Sequence, residues 1–131
     1  MNTALTLLCV SIGAGLGAQL RYGLDLAFTR RSPTRAALAT LSANIAGSLL
    51  IGAIVAVLNK DGLANLSPMW AQTLTAGIAG GLTTFSTVTA QVMERVATRP
   101  FVAAMLGAGH AGFGFAAAGA GWWVTWNFLI S

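Results

Sequence analysis

Charge is what this chain has least of. Only 8% of its 131 residues are Asp, Glu, Lys or Arg, against about 25% in an average soluble domain, and that excludes a soluble globular protein. The acids are Asp25, Asp61 and Glu94 alone. Seven Lys and Arg give a net charge of +4, but they lie scattered between long uncharged stretches. Without a basic patch or stripe to follow a phosphate backbone, nucleic acid is excluded as a partner. A single Cys9, inside an apolar run, excludes an intrachain disulfide and a cysteine-based metal site. The length allows one domain.

What is present is hydrophobic. Uncharged stretches run over 1–20, 36–59, 62–93 and 100–131, and each can hold a membrane-crossing helix, which needs about 20 mainly apolar residues. The spans are expected at about 3–28, 36–59, 69–93 and 101–129 of a single four-helix unit, an all-α, multi-pass protein of the cell (inner or plasma) membrane. The first stretch does not read as a cleaved signal peptide, because no basic region precedes its apolar core and it runs on into GAGLGAQLRYG. Pro33, Pro68 and Pro100 all fall in connections, where proline costs least and helps to start the next helix. Arg30, Arg31 and Arg35 occupy the first connection and Arg95 and Arg99 the third, whereas the second carries Lys60 beside Asp61. The positive-inside rule therefore puts connections one and three in the cytoplasm.

Glycine is abundant, with 16 in all, and most lie inside the spans. Small residues four apart let helices approach closely in lipid, where packing drives association; Gly13 with Gly17 and Gly77 with Gly81 have that spacing. Four short spans can hardly enclose a pathway alone, so a dimer is expected.

The third span holds GIAGGLTTFSTVTAQ, two adjacent glycines followed by Thr83, Thr84, Ser86, Thr87 and Thr89. Glycine weakens a helix and threonine competes for its backbone bonds, so a break is expected at mid-membrane depth. Freed carbonyls there can bind a hard cation such as sodium. Thr40, Asn44 and Ser48, four apart, form a polar stripe on the second span, and Thr73, Gly80, Thr84, Thr87 and Gln91 suggest a row on the third. Neither row holds an acid or base, which argues against proton-coupled transport. Arg21 has two readings, a snorkelling helix-end side chain or a buried group that organises an aqueous vestibule. His110 is equally open between a functional group and a hydrogen bond to a neighbouring helix. Trp122, Trp123 and Trp126 read as an interfacial anchor.

GAGLGAQLRYGL, TLSANIAGSLLIG and GIAGGLTTFSTV resemble, in order and spacing, the signature stretches of the Fluc (CrcB-type) fluoride channels, and length and span number agree over the whole chain. The resemblance implies an ion channel rather than an enzyme: two subunits assembled antiparallel in the bilayer, a sodium ion at the dimer centre, and passive fluoride efflux that confers fluoride resistance. It further implies that the carbonyls of Gly80 and Thr83 hold the sodium and that Asn44 and Phe85 face fluoride. Thr84, Thr87, Thr40 and Ser48 are expected along the same path, with Arg21 at the vestibule.

The chain also departs from the pattern. Val88 stands where a second phenylalanine is usual, Ala43 where valine or threonine is usual, and Gln91 where glutamate is expected. Residues 101–121 contain neither serine nor threonine, although that helix usually adds hydroxyls to the path. Two other functions fit the residues less well. One is a non-conducting partner subunit of a heterodimeric channel. The other is a small four-helix exporter of cationic drugs, which needs a membrane-embedded glutamate, whereas residues 4–20 hold no acid. The uneven loop charge favours a heterodimer over a dual-topology homodimer.

Overall fold

The computed structural model describes residues 3–30, 32, 35–59 and 68–129. Arg31, Pro33, Lys60 and Asp61, which mark connections in the sequence, lie outside them. Among the described residues every regular element is helical. Helix α1 is Thr3–Thr29 and α2 is Ala36–Leu58. Helix α3, over 68–82, begins as Pro68–Gln72, widens to a π-type winding through Thr73–Ala79 and closes as Gly80–Leu82. Helix α4 is Ser86–Val96, and α5 is Pro100–Val124, prolonged by a second wide winding, Thr125–Leu129. Three helices are long and apolar enough to cross a membrane: Thr3–Thr29, Ala36–Leu58 and Pro100–Phe128. Pro68 and Pro100 open α3 and α5, where a missing N–H is no loss.

Local chemistry accounts for the irregular third region. The hydroxyls of Thr73 and Thr75 donate to the carbonyls of Met69 and Ala71 at 2.8 and 2.7 Å. These side chains compete with the amides for the ladder, and the winding there is wide. The helix then stops at Leu82, Thr83 is extended at φ −78° and ψ 157°, and helix resumes at Ser86. Thr73 through Gln91 consequently do not form one face, as a single continuous helix would have them. Thr73 is buried against α1, where a Cβ on Gly13 would sit 2.9 Å from its carbonyl oxygen, while Thr84 and Thr87 border a cleft beyond the stop.

The interior is built from small residues, and the large ones face outward. Ala39, Ala43, Ala56, Ala79, Ala103 and Ala117 are buried with Ile54, Leu82 and Val88, while Leu5, Leu8, Ile12, Leu16 and Leu20 form an exposed stripe along α1. In lipid this arrangement suits both sides: apolar bulk meets acyl chains, and small residues let backbones close up. The two glycine pairs of α1 and α3 meet each other. A Cβ on Gly17 would run into the Ile78 carbonyl, and one on Gly81 into the Ala14 carbonyl. Helices α2 and α5 pack the same way through Gly52 against Ala118 and Gly121 against Leu49. Helix α4 lies on α5.

These contacts predict a sharp difference between glycines. Gly81→Ala forces a methyl onto α1 backbone and should destabilise by about 1–3 kcal/mol. Gly109→Ala, with nothing within 4 Å of the new atom, should be neutral or stabilise by up to about 1 kcal/mol through helix propensity. Thermal unfolding in detergent reads both; equal melting temperatures would contradict the packing described.

Candidate functional site

The site is organised by where two backbone amides go. In an uninterrupted helix the Thr84 N–H would donate to the Gly80 carbonyl and the Thr87 N–H to that of Thr83. Here Thr84 N donates to Oδ1 of Asn44 at 2.8 Å, and Thr87 N to Oγ1 of Thr84 at 3.3 Å. The carbonyls of Gly80 and Thr83 thereby lose their amide partners. Gly80 O keeps a long 3.5 Å contact from the Thr83 hydroxyl, and Thr83 O accepts from Nη1 of Arg21 at 3.2 Å.

Asn44 holds this arrangement from α2. Its Nδ2 donates to the Thr84 carbonyl at 3.1 Å while its Oδ1 accepts the Thr84 N–H, so one side chain satisfies both backbone groups of one residue, as a neighbouring strand would. One Asn44 amide hydrogen is left for another acceptor. Gly47, one turn on, makes room: a Cβ there would collide with the Thr83 methyl. Phe85 follows and is 85% exposed.

The expected path residues fall into two clefts that meet at Thr84. One, of about 300 Å³, is lined by Arg21, Thr40, Thr84 and Thr87 together with Tyr22 and Asp25. The other, of about 540 Å³, is lined by Asn44, Ser48, Thr83, Thr84, Phe85, Val88 and His110 among others. The Thr84 hydroxyl lies 3.0 Å from that of Thr87 and 3.3 Å from that of Ser86. Thr40 is buried and its proton is committed: the hydroxyl donates to the Ala36 carbonyl at 3.1 Å and accepts from Nε2 of Gln91 at 3.0 Å. Gly80 borders neither cleft.

Three features had no clear sequence signal: the long-range bond from Arg21 to Thr83, the Gln91–Thr40 bond, and the room at Gly47. Arg21, half-buried, donates from Nη1 to the Thr83 carbonyl. Only the glycine four residues before Ile51 and three after Asn44 hinted at the third feature.

The family model described as CrcB-like protein, Camphor Resistance (CrcB), matches residues 8–122. A protein of Leifsonia xyli subsp. xyli named fluoride-specific ion channel FluC 1 is 37% identical over 123 residues, 93% of this chain and 88% of that one. Proteins named fluoride-specific ion channel FluC are similar in Albidiferax ferrireducens, 39% identical over 86% of this chain and 81% of that one, and in Cronobacter sakazakii, 44% identical over 66% of each. The chain belongs to the CrcB-like family.

Within this CrcB-like chain the family match covers every element of the site, from α1 through most of α5. It is a multi-pass membrane protein. Some of its departures from the expected pattern lie at the clefts or are bonded to their lining, while Ala43 borders neither. Val88 is buried in the larger one; Gln91 leaves its buried Oε1 without a partner; and His110 is the polar side chain that α5 brings to the larger cleft.

The two hydrogen bonds to Thr84 make Asn44 a support for the backbone. Asn44→Leu should leave the Thr84 N–H and C=O unmet, at about 1–3 kcal/mol for each buried group. A lower melting temperature and at least tenfold faster hydrogen exchange at the Thr84 amide are expected; unchanged exchange would show that the Thr84 amide is held by something else.

Proposed function

We propose that this chain is a subunit of a fluoride-selective channel through which cytoplasmic fluoride leaves down its gradient. The observation that carries the reading is the diversion of the Thr84 and Thr87 amides, which sets carbonyls without their helical amide partners beside hydroxyl and amide donors in one short interval. Taken to lie at mid-membrane depth, that interval is a broken third span, and irregular backbone is tolerated there only where it lines a cavity or is met by protein. The names of the CrcB-like relatives support the same ion.

Fluoride is small and strongly hydrated, so its passage needs a succession of hydrogen-bond donors that replace water without trapping the ion. The free Asn44 amide hydrogen, the Ser48 hydroxyl and the proton left over by the hydrogen-bonded pair of Thr84 and Thr87 hydroxyls are donors of that kind. The exposed Phe85 ring offers its electropositive edge, which attracts an anion without a full charge. Thr40, whose proton is spent on Ala36, acts here by fixing Gln91. Arg21 holds the Thr83 carbonyl and adds positive potential at the mouth of the smaller cleft.

Sodium belongs to this reading as a structural ion. The neutral carbonyls of Gly80 and Thr83 suit a hard cation, and the second lone pair of Thr83 O remains after Arg21 takes the first. Two carbonyls fill only part of a cation's shell, so the site calls for matching oxygens from a second subunit, in keeping with an antiparallel dimer. Bound there, sodium would supply positive charge that offsets the anions. At constant ionic strength sodium should raise the melting temperature of the assembly and choline should not, with about 2.7 kcal/mol gained at a concentration a hundredfold above Kd; equal melting in both would remove the ion from the account.

Five arginines in connections one and three against Lys60 in the second favour a different chain of opposite loop charge as the partner, since reversing this one puts the arginines outside. In cells disabled for fluoride export, co-expression of this chain with such a family member should restore growth in fluoride, and Asn44→Asp should abolish the rescue. Rescue by this chain alone would overturn the heterodimer and keep the channel; no rescue with both chains present in the membrane would overturn the channel.

A further inference from the structure

His110 is only 7% exposed. Its Nδ1 lies 2.9 Å from the Leu106 carbonyl, and because a carbonyl only accepts, Nδ1 carries a proton. In the neutral ring Nε2 is then a bare lone pair, and this buried nitrogen has no hydrogen-bond partner. The residue borders both the cleft of about 540 Å³ and an adjoining one of about 280 Å³, which share Ser48, Ile51, Ala111 and Gly114. The larger cleft is lined with it by Asn44 and Ser48 of α2, by Phe85 just before α4 and by Thr89 of α4. All are uncharged, so His110 is the one titratable group among the described residues lining these clefts. The nearest charged side chain tied to them is Arg21, through the Thr83 carbonyl.

We propose that His110 is a proton-dependent fluoride-binding residue, with Nε2 as the donor that α5 contributes to the path. The inference rests on the channel reading for its route and on the unpartnered nitrogen for its chemistry. With Nε2 bare, the lone pair repels an anion. Protonation turns the same atom into a charged N–H donor, while Nδ1 keeps its bond to Leu106. The path gains its α5 donor when the ring takes up that second proton, so acid favours it. Acidification, which drives fluoride into a cell as its neutral acid, would thus open the route that removes it.

Linkage supplies a readout that does not need transport: if fluoride binds the imidazolium, fluoride must favour protonation. The chain has one histidine, so its imidazole resonances are unambiguous. In an NMR titration of the full assembly, fluoride should move the His110 midpoint to higher pH and chloride should not; a tenfold preference for the charged ring corresponds to about one pH unit. Vesicle efflux should rise several-fold from pH 8 to pH 5 after subtraction of protein-free vesicles. His110→Gln, whose amide donates at every pH, should make efflux pH-independent. No fluoride-dependent shift, or a pH dependence that persists in His110→Gln, overturns the proposal. A midpoint shift without efflux would uphold the binding residue and overturn the channel reading, whereas efflux without the shift would do the reverse.

Discussion

In hydrocarbon an unsatisfied backbone N–H or C=O costs several kcal/mol, so a membrane protein can interrupt a helix only if something else takes up the freed groups. Here that is the Asn44 side-chain amide, which takes both the N–H and the C=O of Thr84. The interruption of the third region after Leu82 follows from this pair of bonds. The Gly80 carbonyl is released because the amide that would bind it has gone to Asn44. Thr83 turns extended, which brings its carbonyl to Arg21. Thr84 is then placed to accept the Thr87 N–H and to start the helix again.

Such an interval has to be reached closely from α2 and α1, and the small residues make that possible. Gly47 leaves space for the Thr83 methyl beside Asn44, and the meeting of Gly13 and Gly17 with Gly77 and Gly81 holds α3 against α1 up to the point where the helix stops. Bulk is displaced to the outside, as in the leucine stripe of α1. Packing and polar site are therefore one design: the glycines fix the distance at which a single short side chain can bridge two helices.

Much of this was legible in the residues because it follows from local rules. The scarcity of charge, the apolar stretches and the four-residue glycine spacing read directly as close-packed membrane helices, and the stretch GGLTTFS contains the point at which α3 stops. Asn44 stood out as a polar residue, but its task did not. Spacing places it on a face with Thr40 and Ser48, yet only the fold brings it to Thr84, 40 positions away. The row from Thr73 to Gln91 misled for a related reason, since it assumes one helical period where the winding first widens and then stops. For Thr40, expected along the path, nothing in its neighbourhood tells that Gln91 will reach it. Pairings across tens of residues are set by packing, and a one-dimensional pattern carries them only weakly.

On the proposed function, the interval held by Asn44 is part of a path that passes fluoride and refuses larger anions. Anion efflux from vesicles carrying the purified assembly, with potassium and valinomycin as the charge-balancing drive, measures it directly. Fluoride should leave while chloride is retained; chloride leaving as fast as fluoride would contradict the account.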